Sequence, residues 1–147
     1  MNELLFLVTI ALYFTAVLVM ERFFGKAGVY VWVALATVLM NLELPKLVVG
    51  FGLEMYLGNA FFASTFLCTD ILNEKYGKKA ARKGATIGAL SVVVYLVATQ
   101  FALAFVPSPS DWAAGMMAEL FGIVPRVTLA SVSVFLLVQF HDVFLYQ

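Results

Sequence analysis

The chain has 147 residues, of which 63% are hydrophobic and only 12% are charged. Soluble domains usually carry about a quarter of their residues as charged side chains, so this composition excludes an ordinary water-soluble globule and predicts a protein embedded in the lipid bilayer. Nine basic and nine acidic residues cancel, and this balance gives no indication of nucleic acid as a partner. The single cysteine, Cys68, excludes an internal disulfide and is predicted to be a small buried side chain.

The first part of the chain predicts two membrane helices joined by a glycine turn. Residues 4–24 form an apolar run of about 21 residues, which is long enough to span a bilayer. No basic residue precedes this run and no small-residue cleavage site follows it, so we interpret it as a membrane helix rather than a cleaved signal peptide. Gly25 and Gly28 are predicted to form the turn. The second helix is predicted over residues 29–44 and ends at Pro45.

A third helix is predicted over residues 47–72, followed by a basic loop over residues 73–84. The first half of this helix carries several glycines and is expected to be irregular or re-entrant, which a membrane tolerates only where protein shields the backbone. These glycines are Gly50, Gly52 and Gly58. A fourth helix is predicted over residues 85–106.

The remaining sequence predicts a turn, a short interfacial helix and a fifth membrane helix. Residues 107–111 combine two prolines, two serines and Asp111, which is typical turn chemistry. Residues 112–122 place apolar side chains at helical spacing behind Trp112, a residue suited to the headgroup region. The fifth helix begins near residue 127 and is still apolar at Gln147, which predicts a chain that is incomplete at its C-terminus. We therefore expect one all-α, polytopic transmembrane domain over residues 1–147.

The placement of the basic residues predicts the orientation of these helices. Cytoplasmic loops of membrane proteins carry an excess of lysine and arginine. Most basic residues fall in the loops after the first and third helices, so these loops are expected in the cytoplasm and the N-terminus outside. The residues concerned are Arg22, Lys26, Lys75, Lys78, Lys79, Arg82 and Lys83, whereas Lys46 and Arg126 fall on the other side.

Polar side chains within the predicted membrane helices form a candidate binding site. At about 100° per residue, Asn59 and Asp70 fall on one face of the third helix together with Phe66 and Asn73. The fifth helix carries a comparable stripe that includes Phe135, Gln139 and Asp142. Amides and carboxylates beside aromatic rings suit a flat, polar heterocycle, because they can hydrogen-bond along its edge while the rings stack on its face. The same groups could instead join helices or cap their ends, and this alternative stays open.

Motifs for nucleophilic catalysis, phosphate binding and zinc binding are missing from the sequence. We therefore predict no catalytic residue, no metal site and no cofactor. Asp70 and Asp142 could form the acid pair of an intramembrane aspartyl protease, whose two carboxyls share a proton. The Gly-x-Gly-Asp signature of those enzymes precedes neither aspartate, and an enzyme is the least favoured interpretation.

Several stretches of the chain resemble one known family. They are Phe24-Gly25-Lys26-Ala27-Gly28, Leu57-Gly58-Asn59, the run FLCTDILNEKYGKKA over residues 66–80, Pro125-Arg126, and Gln139-x-x-Asp142-Val143. In this order they resemble the bacterial queuosine precursor transporters, which are also described as vitamin uptake transporters. The long run is the specific one, and the resemblance extends over essentially the whole chain.

The resemblance implies a multi-pass protein of the bacterial cytoplasmic (inner) membrane that takes up 7-deazaguanine precursors of queuosine, namely the 7-cyano and 7-aminomethyl bases. It also implies a fold similar to the substrate-binding subunits of energy-coupling-factor transporters, and a further helix with a second Gln-x-x-Asp. The expected partners are the deazaguanine base and the lipid bilayer. A homo-oligomer or an ATPase module stays open as a partner, as does a substrate-capture subunit for another vitamin or purine that needs such a module.

Overall fold

The structure is a computed structural model that describes residues 1–123, 125–127, 130 and 133. The chain forms two compact units, Met1–Val92 and Val93–Gln147. In chain order the elements are α1 (Asn2–Glu43), β1 (Leu47–Gly50), β2 (Leu53–Tyr56), α2 (Asn59–Tyr76), α3 (Lys78–Ala104) and α4 (Ala114–Gly122).

Helix α1 is folded back on itself at Gly25. This residue has φ 57° and ψ −141°, a conformation that glycine adopts without steric cost and that interrupts the helix. The rings of Tyr13 and Trp32 lie 6.2 Å apart, whereas a straight helix would separate them by about 28 Å. A Cβ atom at Gly28 would lie 2.1 Å from the carbonyl oxygen of Met20, so only glycine fits this contact. The predicted pair of helices with a glycine turn is confirmed, and the turn shortens to one residue.

The predicted third helix does not begin at residue 47, because an antiparallel hairpin occupies residues 47–56. The expectation that this half of the segment is irregular is confirmed, whereas its helical bounds are wrong. The strands pair from Leu47 opposite Tyr56 to Gly50 opposite Leu53. Phe51 and Gly52 at the tip have φ of 53° and 74°, the two positive values that a tight two-residue hairpin turn needs. The valine-rich first strand also favours an extended backbone over a helix. The fold is therefore mostly helical rather than all-α.

The hairpin is attached to the N-terminal end of α1. The Asn2 side chain donates to the carbonyl oxygen of Val49 at 2.8 Å, and the Phe51 amide donates to Glu3 at 3.3 Å. The start of α1 and the hairpin therefore lie at the same end of the first unit, opposite Gly25.

Helix α2 packs against α1 and adds Phe61, Cys68 and Leu72 to the core of the first unit. The Tyr13 and Phe61 rings stack at 3.9 Å. The indole nitrogen of Trp32 donates to the Ser64 hydroxyl at 3.0 Å, and that hydroxyl donates to the Phe61 carbonyl at 2.6 Å. Cys68 is fully buried in this core, as its sequence context predicts.

The predicted basic loop over residues 73–84 is also wrong, because α2 continues to Tyr76 and α3 begins at Lys78. Lysine, alanine and arginine are good helix formers, so the basic segment stays helical. Gly77, with φ 83°, is the residue that separates the two helices. The first turns of α3 pack against the second limb of α1, where the Tyr30 hydroxyl donates to the carbonyl oxygen of Ala80 at 3.3 Å.

Two of the described helices, α1 and α3, are long and apolar enough to cross a membrane by length and composition. Each limb of α1, residues 2–24 and 26–43, has a length of about 27 Å or more at about 1.5 Å per residue. This compares with a hydrocarbon core of about 30 Å. The membrane character that the composition predicts is therefore matched by the helices.

In the second unit, the short helix predicted over residues 112–122 is confirmed as α4. The Asp111 carboxylate accepts from the Ala113 amide at 2.9 Å just before the helix begins. Gln100 donates to the carbonyl oxygen of Phe121 at 3.2 Å, and Tyr95 meets the Phe121 ring edge to face. Most of the predicted fifth helix lies outside the described residues.

Candidate functional site

The predicted polar stripe lies on the open face of α2. About 100° of rotation per residue places the stripe opposite the side chains that pack into the core. The core side is formed by Ala60, Phe61, Ser64, Cys68 and Leu72. The open side carries Asn59, Phe66, Asp70 and Asn73, and all four are exposed within the described residues. The stripe is therefore available for contacts other than the packing of α2 on α1.

Asp70 borders a cleft of about 300 Å³ near the C-terminal end of α2. The first limb of α1 forms one wall and the last turns of α2 form the other. The lining residues are Leu18, Glu21, Asp70, Ile71, Glu74 and Lys75. Three carboxylates and one ammonium group thus face a small space with apolar patches from Leu18 and Ile71.

Glu21 is the residue that connects the two walls. Its Oε1 accepts from the Lys75 ammonium at 2.6 Å and from the Tyr76 hydroxyl at 2.7 Å. The Glu21 side chain is 14% exposed, whereas that of Lys75 is 60% exposed. The hydrogen bonds to this carboxylate raise the pKa of both the Lys75 ammonium and the Tyr76 phenol. Glu21 therefore holds the last turn of α2 through two donors at once.

Asp70 and Glu74 make no such contacts. Within the part of the chain that the structure describes, no hydrogen bond or ion pair reaches either carboxylate. The described residues contain no group of His, Cys, Asp or Glu side chains arranged to hold a metal ion. Both carboxylates are exposed at the cleft, and an ionised carboxylate accepts hydrogen bonds.

Of the sequence-predicted residues that the structure describes, Asp70 is the one that lines the cleft. Phe66 lies about one turn before it and meets Phe62 edge to face at 4.8 Å. Asn73 lies about one turn after it on the exposed side. Asn59 begins α2, and eleven residues at about 1.5 Å each place it about 16 Å from Asp70 along the helix axis. Phe135, Gln139 and Asp142 lie outside the described residues.

Glu21, Lys75 and Tyr76 were not among the predicted site residues. They bring together two of the stretches that carry the family resemblance, residues 24–28 and residues 66–80. The Lys26 ammonium lies 6.0 Å from the centre of the Tyr76 ring, and the Tyr76 hydroxyl lies 3.5 Å from where a Cβ of Gly25 would be. No local spacing rule pairs residues 54 positions apart, so periodicity alone could not identify these neighbours.

Residues 56–147 match the family described as "Putative vitamin uptake transporter". The chain belongs to this vitamin uptake transporter family. The match covers more than half of the chain and includes α2 with Asp70. The resemblance drawn from the residues is thereby confirmed.

A related protein of Bacillus subtilis (strain 168), described as "Probable queuosine precursor transporter", is 39% identical over 136 residues. The aligned region is 92% of this chain and 59% of the relative, so the chain spans about three fifths of that protein's length. No solved structure matches the chain.

Proposed function

We propose that the chain forms part of an importer that carries 7-deazaguanine precursors of queuosine across the bacterial inner membrane. The observation that carries this proposal is the 39% identity, over 92% of the chain, to the relative described as a queuosine precursor transporter. Membership of the vitamin uptake family supports uptake of a vitamin-like small molecule. The two helices of membrane-spanning length support a location in the bilayer.

Asp70 is the residue we assign to the edge of the base. A guanine-like edge presents adjacent N–H donors, and a carboxylate can accept two of them as it does from arginine. The Asp70 carboxylate lies at the cleft with no partner among the described residues. The cleft volume of about 300 Å³ lies at the lower end of the range for small-molecule pockets, which suits a ligand as small as a single base.

The other predicted residues complete this proposal from the same helix and from the predicted fifth helix. Phe66 would stack on the base from one turn away, since aromatic faces pair favourably with flat rings. Asn73 and Asn59 would donate and accept hydrogen bonds at the ends of the stripe. Phe135, Gln139 and Asp142 stay the sequence-predicted substrate-binding residues of the proposed fifth helix. Five membrane helices and similarity to energy-coupling-factor subunits remain part of the same proposal.

We assign the cleft to the cytoplasmic side of the membrane. The positive-inside rule favours the end of the first unit where basic side chains gather. Lys26 and Lys75 both lie about 6 Å from the Tyr76 ring, and Lys83 lies 5.7 Å from the Tyr30 ring. The hairpin and the N-terminus lie at the other end of α1 and would face outward.

The test is complementation of a bacterium that cannot make queuosine precursors and lacks its own importer. The protein is expressed from its natural coding sequence, the 7-cyano base is supplied at low concentration, and queuosine is measured in tRNA. Wild type should restore queuosine. Asp70→Asn should restore much less queuosine than wild type. Loss of a charged hydrogen bond costs about 1.5–3 kcal/mol of binding free energy, which lowers affinity about tenfold or more.

Glu54→Gln is the matched control, because Glu54 is an exposed carboxylate of the first unit that does not line the cleft. If wild type reaches the membrane and restores no queuosine with the 7-cyano base or with the 7-aminomethyl base, the transport proposal is wrong. If Asp70→Asn protein at normal levels still restores queuosine, the assignment of Asp70 is wrong. Uptake by purified protein in vesicles without ATP would exclude an obligatory ATPase module.

A further inference from the structure

The cleft contains one ammonium group, from Lys75, and three carboxylates that could pair with it. Two of these carboxylates, Asp70 and Glu74, lie on the same helix as Lys75, and the third, Glu21, lies on α1. Among the described residues, the hydrogen-bonded ion pair of the Lys75 ammonium is with Glu21, at 2.6 Å. In the part of the cleft that the structure describes, this ammonium is therefore paired across to α1 and not with the two carboxylates nearest to it in the sequence.

The choice of partner has a structural reason. The Glu21 side chain is only 14% exposed, whereas Asp70 and Glu74 are both exposed. The Glu21 Oε1 also accepts the Tyr76 hydroxyl at 2.7 Å. Two donors on one oxygen fix the direction of this carboxylate, and a charge-assisted hydrogen bond of this length is among the stronger ones. Asp70 and Glu74 have no comparable support from a second donor. Lys75 is thereby drawn toward α1.

We propose that Glu21 is a positioning residue that keeps Lys75 away from Asp70, so that the Asp70 carboxylate stays open for the substrate. This inference rests on the proposed function, in which Asp70 contacts the base. Without the Glu21 carboxylate, the Lys75 ammonium would pair with a remaining carboxylate of the cleft. An ammonium held there would compete directly with the N–H donors of the base.

This role differs from that of a simple tie between α1 and α2. If the Glu21–Lys75 ion pair only joined the two helices, removing either residue would impair substrate binding, and removing both would not restore it. A positioning role predicts the opposite, because the damage after loss of Glu21 comes from the freed Lys75 ammonium. Removing Lys75 as well should then restore binding by Asp70.

The experiment measures the concentration dependence of uptake of radiolabelled 7-cyano-7-deazaguanine, a neutral base, by cells that express the intact protein. Glu21→Gln should raise KM about tenfold, the size expected for loss of a charged hydrogen bond, and leave the maximal rate nearly unchanged. The double variant Glu21→Gln/Lys75→Met should return KM to within about threefold of wild type. Glu54→Gln is the control, since Glu54 is an exposed carboxylate that does not line the cleft, and its KM should equal that of wild type.

A raised KM in Glu21→Gln that the second substitution reverses supports the proposal. An unchanged KM in Glu21→Gln, or a raised KM that Lys75→Met does not reverse, overturns it. If the Glu21→Gln protein does not accumulate, the KM of the single variant Lys75→Met distinguishes the two roles. The positioning role predicts a KM for Lys75→Met no higher than that of wild type. A purely structural link between α1 and α2 predicts a raised KM. Asp70→Asn is measured in parallel, and full uptake by that variant rejects the proposed function itself rather than this inference.

Discussion

The Tyr76 hydroxyl donates a 2.7 Å hydrogen bond to Glu21, a residue 55 positions earlier in the chain. The bond joins the end of α2 to the limb of α1 that precedes Gly25. It forms because the fold at Gly25 and the packing of α2 bring both residues to the same end of the first unit. The wall of the Asp70 cleft therefore depends on the shape of α1.

Gly28→Ala should destabilise the first unit. The added Cβ would lie 2.1 Å from the carbonyl oxygen of Met20, and backbone cannot move aside as a flexible side chain can. The two limbs would have to separate, at a cost of about 1–3 kcal/mol or more. Thermal denaturation of the detergent-solubilised protein should show a clearly lower midpoint. Gly115→Ala is the control, since nothing lies within 4 Å of its added Cβ, and an equal loss there would contradict this explanation.

Ser64→Ala should destabilise the contact between α1 and α2. It removes the acceptor of the buried Trp32 indole N–H, and an unpaired buried donor costs about 1–3 kcal/mol. We expect a lower thermal midpoint. The comparison is Thr65→Ala, which removes a hydroxyl bonded only to the preceding turn of its own helix. Similar midpoints for the two variants would mean that the Trp32 bond contributes little.

The Lys75 contact should persist through neutral and mildly alkaline pH. The Glu21 carboxylate raises the pKa of Lys75 above its ordinary value of 10.5, so the folded protein holds this proton more tightly than the unfolded chain. Its contribution to stability is therefore full below pH 10.5 and is lost as pH rises through the higher folded value. The difference in thermal midpoint between wild type and Lys75→Met should stay constant from about pH 8 to 10 and shrink at higher pH, as the ammonium loses its proton. A difference that declines already between pH 8 and 10 would contradict the assignment.

Single cysteines should report the orientation of the first unit. Cys68 is fully buried, and its replacement by alanine gives a background without thiols, since the chain has one cysteine. A membrane-impermeant thiol reagent added to intact cells should label Leu53→Cys on the hairpin. It should not label Lys79→Cys at the start of α3 until the cells are opened. The reverse pattern would place the cleft outside.

Phe51→Asn should stabilise the hairpin. Phe51 has φ 53°, a left-handed conformation that is costly for an aromatic residue and more easily adopted by asparagine. Asn-Gly is the favoured pair for a two-residue turn in which both φ values are positive. Amide hydrogen exchange of residues 48–55 should slow in the variant. Faster exchange would mean that the exposed Phe51 ring stabilises the hairpin through contacts with its surroundings.

Composition and short-range patterns were enough to predict several features of this fold. Low charge predicted the membrane helices, Gly25 predicted the fold of α1, and the pattern after Asp111 predicted α4. The spacing of Asn59, Phe66 and Asp70 identified a single face of α2. Each of these follows from chemistry or periodicity within a few turns of the chain.

The surroundings of Asp70 and the hairpin before α2 could not be predicted in this way, because both depend on contacts made in the folded chain. Residues 47–56 read as an apolar helix on hydropathy alone, but pairing of two short strands around Phe51 and Gly52 satisfies the backbone instead. Glu21 and Lys75 meet because α1 folds back and α2 packs along it, which joins positions 54 residues apart. Local periodicity carries no information across that distance, so the partners of a carboxylate at the end of α2 emerge only when the helices pack.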